Sequence, residues 1–131
     1  MKISDINMER TKALPAAGAA AVSDSVDLWA DEVGPVAGNL EVHLELPALA
    51  SLVDTKTCTI TFQDSADDST FATVGGADTL VVTGAGGAGA AADAVRFYLP
   101  PATRQYVRFS VAVEASGGDN TAASATMKFR V

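Results

Sequence analysis

Residues 39 to 46 read NLEVHLEL, and the two-residue period of that octet most constrains the fold of this chain. Leu40, Val42, Leu44 and Leu46 fall on one side of an extended strand, and Glu41, His43 and Glu45 on the other. The alternation returns in TCTITFQ (57–63), AVRFYL (94–99), YVRFSVAVE (106–114) and the C-terminal TAASATMKFRV (121–131), with shorter runs at 26–29, 70–74 and 79–83. No stretch of ten or more residues carries bulky apolar side chains at helical spacing. Gly, Pro, Asp and Ser separate the runs, and SGGDN (116–120) is expected to join the last two as a hairpin. Strands with one apolar and one polar face suit antiparallel sheets that are solvated on one side. The expected fold class is therefore all-β, an antiparallel, jelly-roll-like β-sandwich over residues 25–131. Residues 1–24 show no period of either kind and are expected to form an N-terminal arm, docked on its own domain or on a partner.

The 131 residues suffice for one ordinary domain. Apolar residues make up 48% of the chain, but 25 of them are Ala, so the bulky core is smaller than that fraction suggests. Leu, Ile, Val and Phe still number 31, enough to keep the chain out of the disordered class. The formal charge of −7 repels phosphate, which argues against nucleic acid and anionic membranes as partners. No window reaches the roughly 18 consecutive apolar residues that span a bilayer. Lys2, Arg10 and Lys12 precede ALPAAGAAAV, but about a dozen mostly polar residues separate start from apolar stretch, unlike a secretory signal. An uncleaved, non-secreted chain of cytoplasmic origin is expected. Cys58 is alone, so no intrachain disulfide forms; it shares a strand face with Ile60 and Phe62 and reads as a small buried residue.

Gly84, Gly86 and Gly89 spell G-x-G-x-x-G directly after a strand-like run, the dinucleotide-binding fingerprint. That motif needs a following helix whose N-terminus holds the pyrophosphate. Only AAADA separates Gly89 from the next strand, so the string is expected to be a surface loop with no cofactor.

Glu41, His43 and Glu45 form the best metal candidate in the chain, because residues two apart on a strand can reach one ion. No second His exists to complete a common zinc set, and a solvated or interface-facing strand surface is the expectation. Asp64, Asp67 and Asp68 lack the spacing of a calcium loop and read as a solvated turn. A nucleophilic triad would have to centre on His43, with only generic carboxylates beside it, so no catalytic residues are expected. Arg96, Arg104, Arg108, Lys128 and Arg130 gather late in an acidic chain, which suggests electrostatic register between protein subunits. LPPATRQY (99–106) has the form of the approach to a tyrosine corner, with Tyr106 at the strand start.

Taken together, DSVDLW, NLEVHLEL, TITFQDSADDSTF, RFYLPPATRQYVRFSV and the strand at the C-terminus resemble the jelly-roll capsid cement proteins of short-tailed phages, the Bordetella-phage type. The resemblance implies a non-enzymatic virion protein, made in the cytoplasm of a bacterial host and placed on the capsid exterior. It would bridge neighbouring copies of the same phage's major capsid protein, as a homo-oligomer such as a dimer or trimer. Large apolar side chains outside the strand pattern are the candidate interface anchors: Ile3, Ile6, Met8 and Leu14 in the arm, and Trp29. A second class fits the same fold, a sandwich-type carbohydrate or host-surface binding module of a phage tail or fibre. It calls for an aromatic platform, and Tyr98 and Tyr106 are the only tyrosines available.

Overall fold

In the computed structural model, residues 9–28 and 40–130 are described. They form ten strands and, among the described residues, no helix. The strands are β1 (Arg10–Ala13), β2 (Ala20–Val22), β3 (Val26–Asp27), β4 (Glu41–Leu46), β5 (Thr57–Ser65), β6 (Ala72–Thr73), β7 (Leu80–Thr83), β8 (Asp93–Tyr98), β9 (Tyr106–Val113) and β10 (Ser124–Arg130). One sheet, A, runs β1-β10-β4-β8; the other, B, runs β2-β9-β5-β6, with β3 also on β9 and β7 also on β5. Every pairing between named strands is antiparallel.

Counting β2 with β3 and β6 with β7, the ten strands fill eight positions, four per sheet. The chain changes sheet at almost every connection, and only β5 and its β6/β7 partners are consecutive within one sheet. This is the jelly-roll arrangement of an antiparallel sandwich. The sandwich expected from the alternating runs is thus present.

The alternation explains the layers. β9 and β10 bury every second residue without a break, and so does β5 as far as Asp64. Phe62, Phe109, Phe129, Leu44, Ile60 and Met127 lie between the sheets, fully buried. Phe62 of sheet B meets Phe97 of sheet A edge to face, with ring centroids 5.4 Å apart. Truncating a buried Phe at such a site costs about 3–5 kcal/mol.

Two expectations are corrected or sharpened. β9 and β10 are not a hairpin: residues 114–123 carry the chain from sheet B to sheet A. Each of these strands has a complete apolar face, and each buries it from opposite sides of one core. Residues 9–24 of the expected arm are docked on the domain itself, β1 pairing with β10 and β2 with β9. These edge strands carry few bulky apolar residues, so their place comes from main-chain hydrogen bonds to a neighbour that already has a partner.

Candidate functional site

β4 is flanked by β10 and β8, so its outward residues meet side chains on both sides. Register sets three rows across the outer face of sheet A: Arg130–Glu41–Tyr98, Lys128–His43–Arg96 and Thr126–Glu45–Ala94. Directly opposed side chains in such rows stand about 5 Å apart at Cβ. Lys128 Nζ lies 3.3 Å from Glu45 Oε2, one row away. Along the strand, His43 Nε2 shares a hydrogen bond with Glu41 Oε1.

The sequence reading has Glu41 and His43 on a solvated or interface-facing surface; in the structure they are exposed by only 9% and 7%. They occupy the central strand, and the long side chains at Arg130, Lys128, Arg96 and Tyr98 stand beside them in register. Periodicity gives the side a residue faces, and crowding then decides how wet that side is. Arg130 Nε is also buried, without a hydrogen-bond partner among the described residues. A recess of about 250 Å³ opens where Glu41, Arg96, Phe97 and Tyr98 meet, and Tyr98 is 62% exposed beside it.

Three basic side chains thus interleave with two carboxylates and an imidazole on one face. Sixteen acidic residues oppose nine basic ones in the whole chain, so this face is basic relative to the rest. Interleaved charge of this kind gives orientation and register to a protein contact more than raw affinity. It is not arranged as a metal cage, because Glu45 is engaged by Lys128 and Glu41 by His43. Among the described residues no group of three or more His, Cys, Asp or Glu side chains is placed to hold a metal ion.

The late basic residues do not act as one group. Arg96, Lys128 and Arg130 share this face, while Arg108 lies on sheet B, 3.9 Å above the Phe71 ring and donating to Gln63 Oε1. Arg104, half-exposed, reaches over Asp64, and this contact ties the 99–105 strap to β5. Of the candidate anchors, Leu14 is corrected: it is 2% exposed and belongs to the core, its N–H donating to Ala123 O, so no partner can reach it. Ile3, Ile6, Met8 and Trp29 lie outside the described residues.

The three aspartates of the 63–70 segment separate as well. Asp64 is buried under Arg104, while Asp67 Oδ1 accepts hydrogen bonds from Ser65 Oγ and the Ser69 and Thr70 N–H groups. Those bonds, Thr70 first, hold the Asp67 carboxyl below its usual range. Cys58 is buried as expected, and burial pushes its thiol up to about 11.

The glycine string joins β7 to β8 directly, with no helix between them. It packs against residues 49–54 through bridges between Leu49 and Ala90 and between Asp54 and Gly84. The Asp54 carboxylate accepts from the Gly87 N–H. Gly89 has φ +75°, and a Cβ there would overlap Leu49 O, while one at Gly84 would overlap Val53 O, so these two glycines serve close backbone approach.

No protein-family model matches this chain, and no curated protein matches it. Among solved structures it is similar to the PBSX exported protein XepA, at TM-score 0.53 and 15% identity, covering 99% of this chain and 36% of XepA. The chain thus spans about a third of the length of that protein. It is also similar to a protein of the Bacillus endospore appendages, a family of disulfide-linked pili (TM-score 0.47, 15% identity, 98% and 86% covered). Desmodium yellow mottle tymovirus provides a third likeness (0.45, 11%, 100% and 86%). At these identities the likeness extends to the fold alone.

Proposed function

We propose that this chain is a structural virion protein that binds the outer surface of an icosahedral phage capsid and cements neighbouring major capsid subunits. The observation that carries the reading is the outer face of sheet A. It is an array of interleaved charge on the two strands flanking β4 and on β4 itself, basic within an acidic chain. A rigid sandwich with such a face has what a bridging protein needs: a fixed shape and a contact surface that sets orientation. Reaction chemistry needs a nucleophile or base converging on a recess. The one imidazole is committed to Glu41, and the one thiol is buried and held protonated. We therefore place the protein outside the enzymes.

The resemblance in sequence to phage cement proteins supports the capsid as partner and the capsid exterior as location. Modest contacts suffice there, because many copies on one shell act together. The test is mechanical. Expanded shells of the encoding phage are heated with and without the purified protein, and their disassembly is followed by light scattering. A cement protein raises the disassembly temperature until every site is filled and no further. An unchanged temperature with the protein in excess overturns the proposal, and glycan-array binding would then favour the carbohydrate or host-surface module.

A further inference from the structure

Where β4 runs out into Pro47 and β10 begins at Ser124, a recess of about 570 Å³ opens between residues 47–51 and 119–124. That volume falls within the roughly 300–1,000 Å³ of small-ligand clefts. Pro47, Leu49 and Ala122 give it apolar walls, and Asp119, Asn120 and Ser124 give it side-chain oxygens. Among the described residues no Lys, Arg or His lines it. Asn120 is only 4% exposed, and its Nδ2 donates to Gly117 O at 3.1 Å, with Gly118 O at 3.5 Å. Those contacts fix the amide, because turning it over would set its oxygen against two carbonyl oxygens. Gly117 and Gly118 are not in the wall, so the opposite end of the amide, Oδ1, is the one turned to the recess. Oδ1 has no hydrogen-bond partner among the described residues. A buried acceptor without a donor is costly, and this one calls for a donor from outside the chain.

We infer that the recess is a binding site for a lysine side chain presented by a partner protein. An alkylammonium carries a four-carbon stem for the apolar walls and three N–H donors with no acceptor. It supplies the donor that Asn120 Oδ1 needs and meets the Asp119 carboxylate beside it. Asp119 Oδ1 already accepts from the Thr121 hydroxyl at 2.6 Å and the Thr121 N–H at 3.1 Å. Those bonds, the hydroxyl first, hold the carboxyl below its usual range, so it is charged at neutral pH. Oδ2 takes no hydrogen bond among the described residues. The flat fork of an arginine matches two free carboxylate oxygens, which Asp119 does not offer. A carboxylate or phosphate would bring more acceptors to a recess that has no cation. The site lies at the strand ends, away from the charged rows of sheet A, and the inference stands without the capsid reading.

The test is an NMR titration of the full chain with Nα-acetyl-lysine N-methylamide, following the backbone amide signals. The norleucine analogue, which keeps the four-carbon stem and lacks the ammonium, is the control. The lysine ligand is expected to give saturable shifts centred on residues 47–51 and 119–124, with a dissociation constant in the millimolar range. The norleucine analogue is expected to leave those signals in place. Asp119→Asn keeps the acceptor for Thr121 and removes the charge, and it should weaken binding about threefold or more. Ala122→Phe, at an exposed position on the wall, should abolish it. Native-like spectra and thermal midpoints for both variants separate loss of the site from loss of the fold. No shift at these residues up to about 50 mM ligand leaves water as the donor to Asn120 and overturns the inference. Equal shifts with norleucine, or binding indifferent to both variants, overturn it as well.

Discussion

Arg104 holds Asp64 through four hydrogen bonds. The carboxylate accepts from the Arg104 backbone N–H at 2.9 Å, from Nε at 3.2 Å and from Nη2 at 2.9 Å, and Nη2 also donates to Asp64 O at 3.0 Å. Asp64 is the last residue of the inward alternation of β5, and Arg104 lies in the strap that carries the chain from β8 to β9. The pair therefore pins the crossover between sheets. Arg104→Ala leaves a buried carboxylate with the backbone N–H of residue 104 but without its charged partner, whereas Asp64→Asn keeps an oxygen acceptor and leaves a half-exposed guanidinium that water can serve. Arg104→Ala is expected to lower the thermal midpoint more than Asp64→Asn, and the double variant to fall short of the sum of the two. Thermal unfolding of the three variants checks both orderings.

Gly86 and Gly89 belong to one loop and should respond differently to the same change. Both have positive φ, at 65° and 75°. A Cβ at Gly86 meets nothing within 4 Å, so Gly86→Ala should cost only the left-handed penalty of about 1–2 kcal/mol. At Gly89 the added carbon would overlap Leu49 O, and the loop must lift off residues 49–54. Denaturant unfolding should place Gly89→Ala well below Gly86→Ala, and equal midpoints would contradict the packed loop.

The buried thiol predicts an alkaline weakness. Desolvation raises Cys58 from 9.0 to about 11, so the folded state favours the protonated form. The associated stability is fully present below pH 9.0 and is lost as the pH rises through about 11. Cys58→Ala should flatten that part of the stability curve while lowering stability at neutral pH. At pH 8 a thiol reagent should modify the native protein at least a hundredfold more slowly than the unfolded chain.

What was legible in the sequence follows from how much each segment has to bury. β4, β5, β8, β9 and β10 announce themselves by bulky alternation, and most of the core can be named from it. RTKA and AAV bury too little to show a period; they are strands because edges of β10 and β9 were open to them. SGGDN carries hairpin residues, yet the hairpin loses to a topology in which both flanking strands need the same core. The charged face could be read as far as the outward side of EVHLE. The shielding of His43 and Glu41 could not, because it depends on β10 and β8 lying beside β4. Arg104 and Asp64 stand 40 positions apart, and no local pattern links them.

The most direct test of the cement role is co-sedimentation with expanded shells of the encoding phage, comparing the native protein, Arg96→Glu/Lys128→Glu and a chain lacking residues 1–8. Truncation stops at residue 8 because removing 1–24 would also strip β1 and β2 from the sheets. The account predicts saturable pelleting at a fixed ratio to the major capsid subunit, with at least tenfold weaker binding once two cations of the sheet A face are reversed. Native protein left in the supernatant at low salt, or pelleting indifferent to the reversed charges, would contradict it.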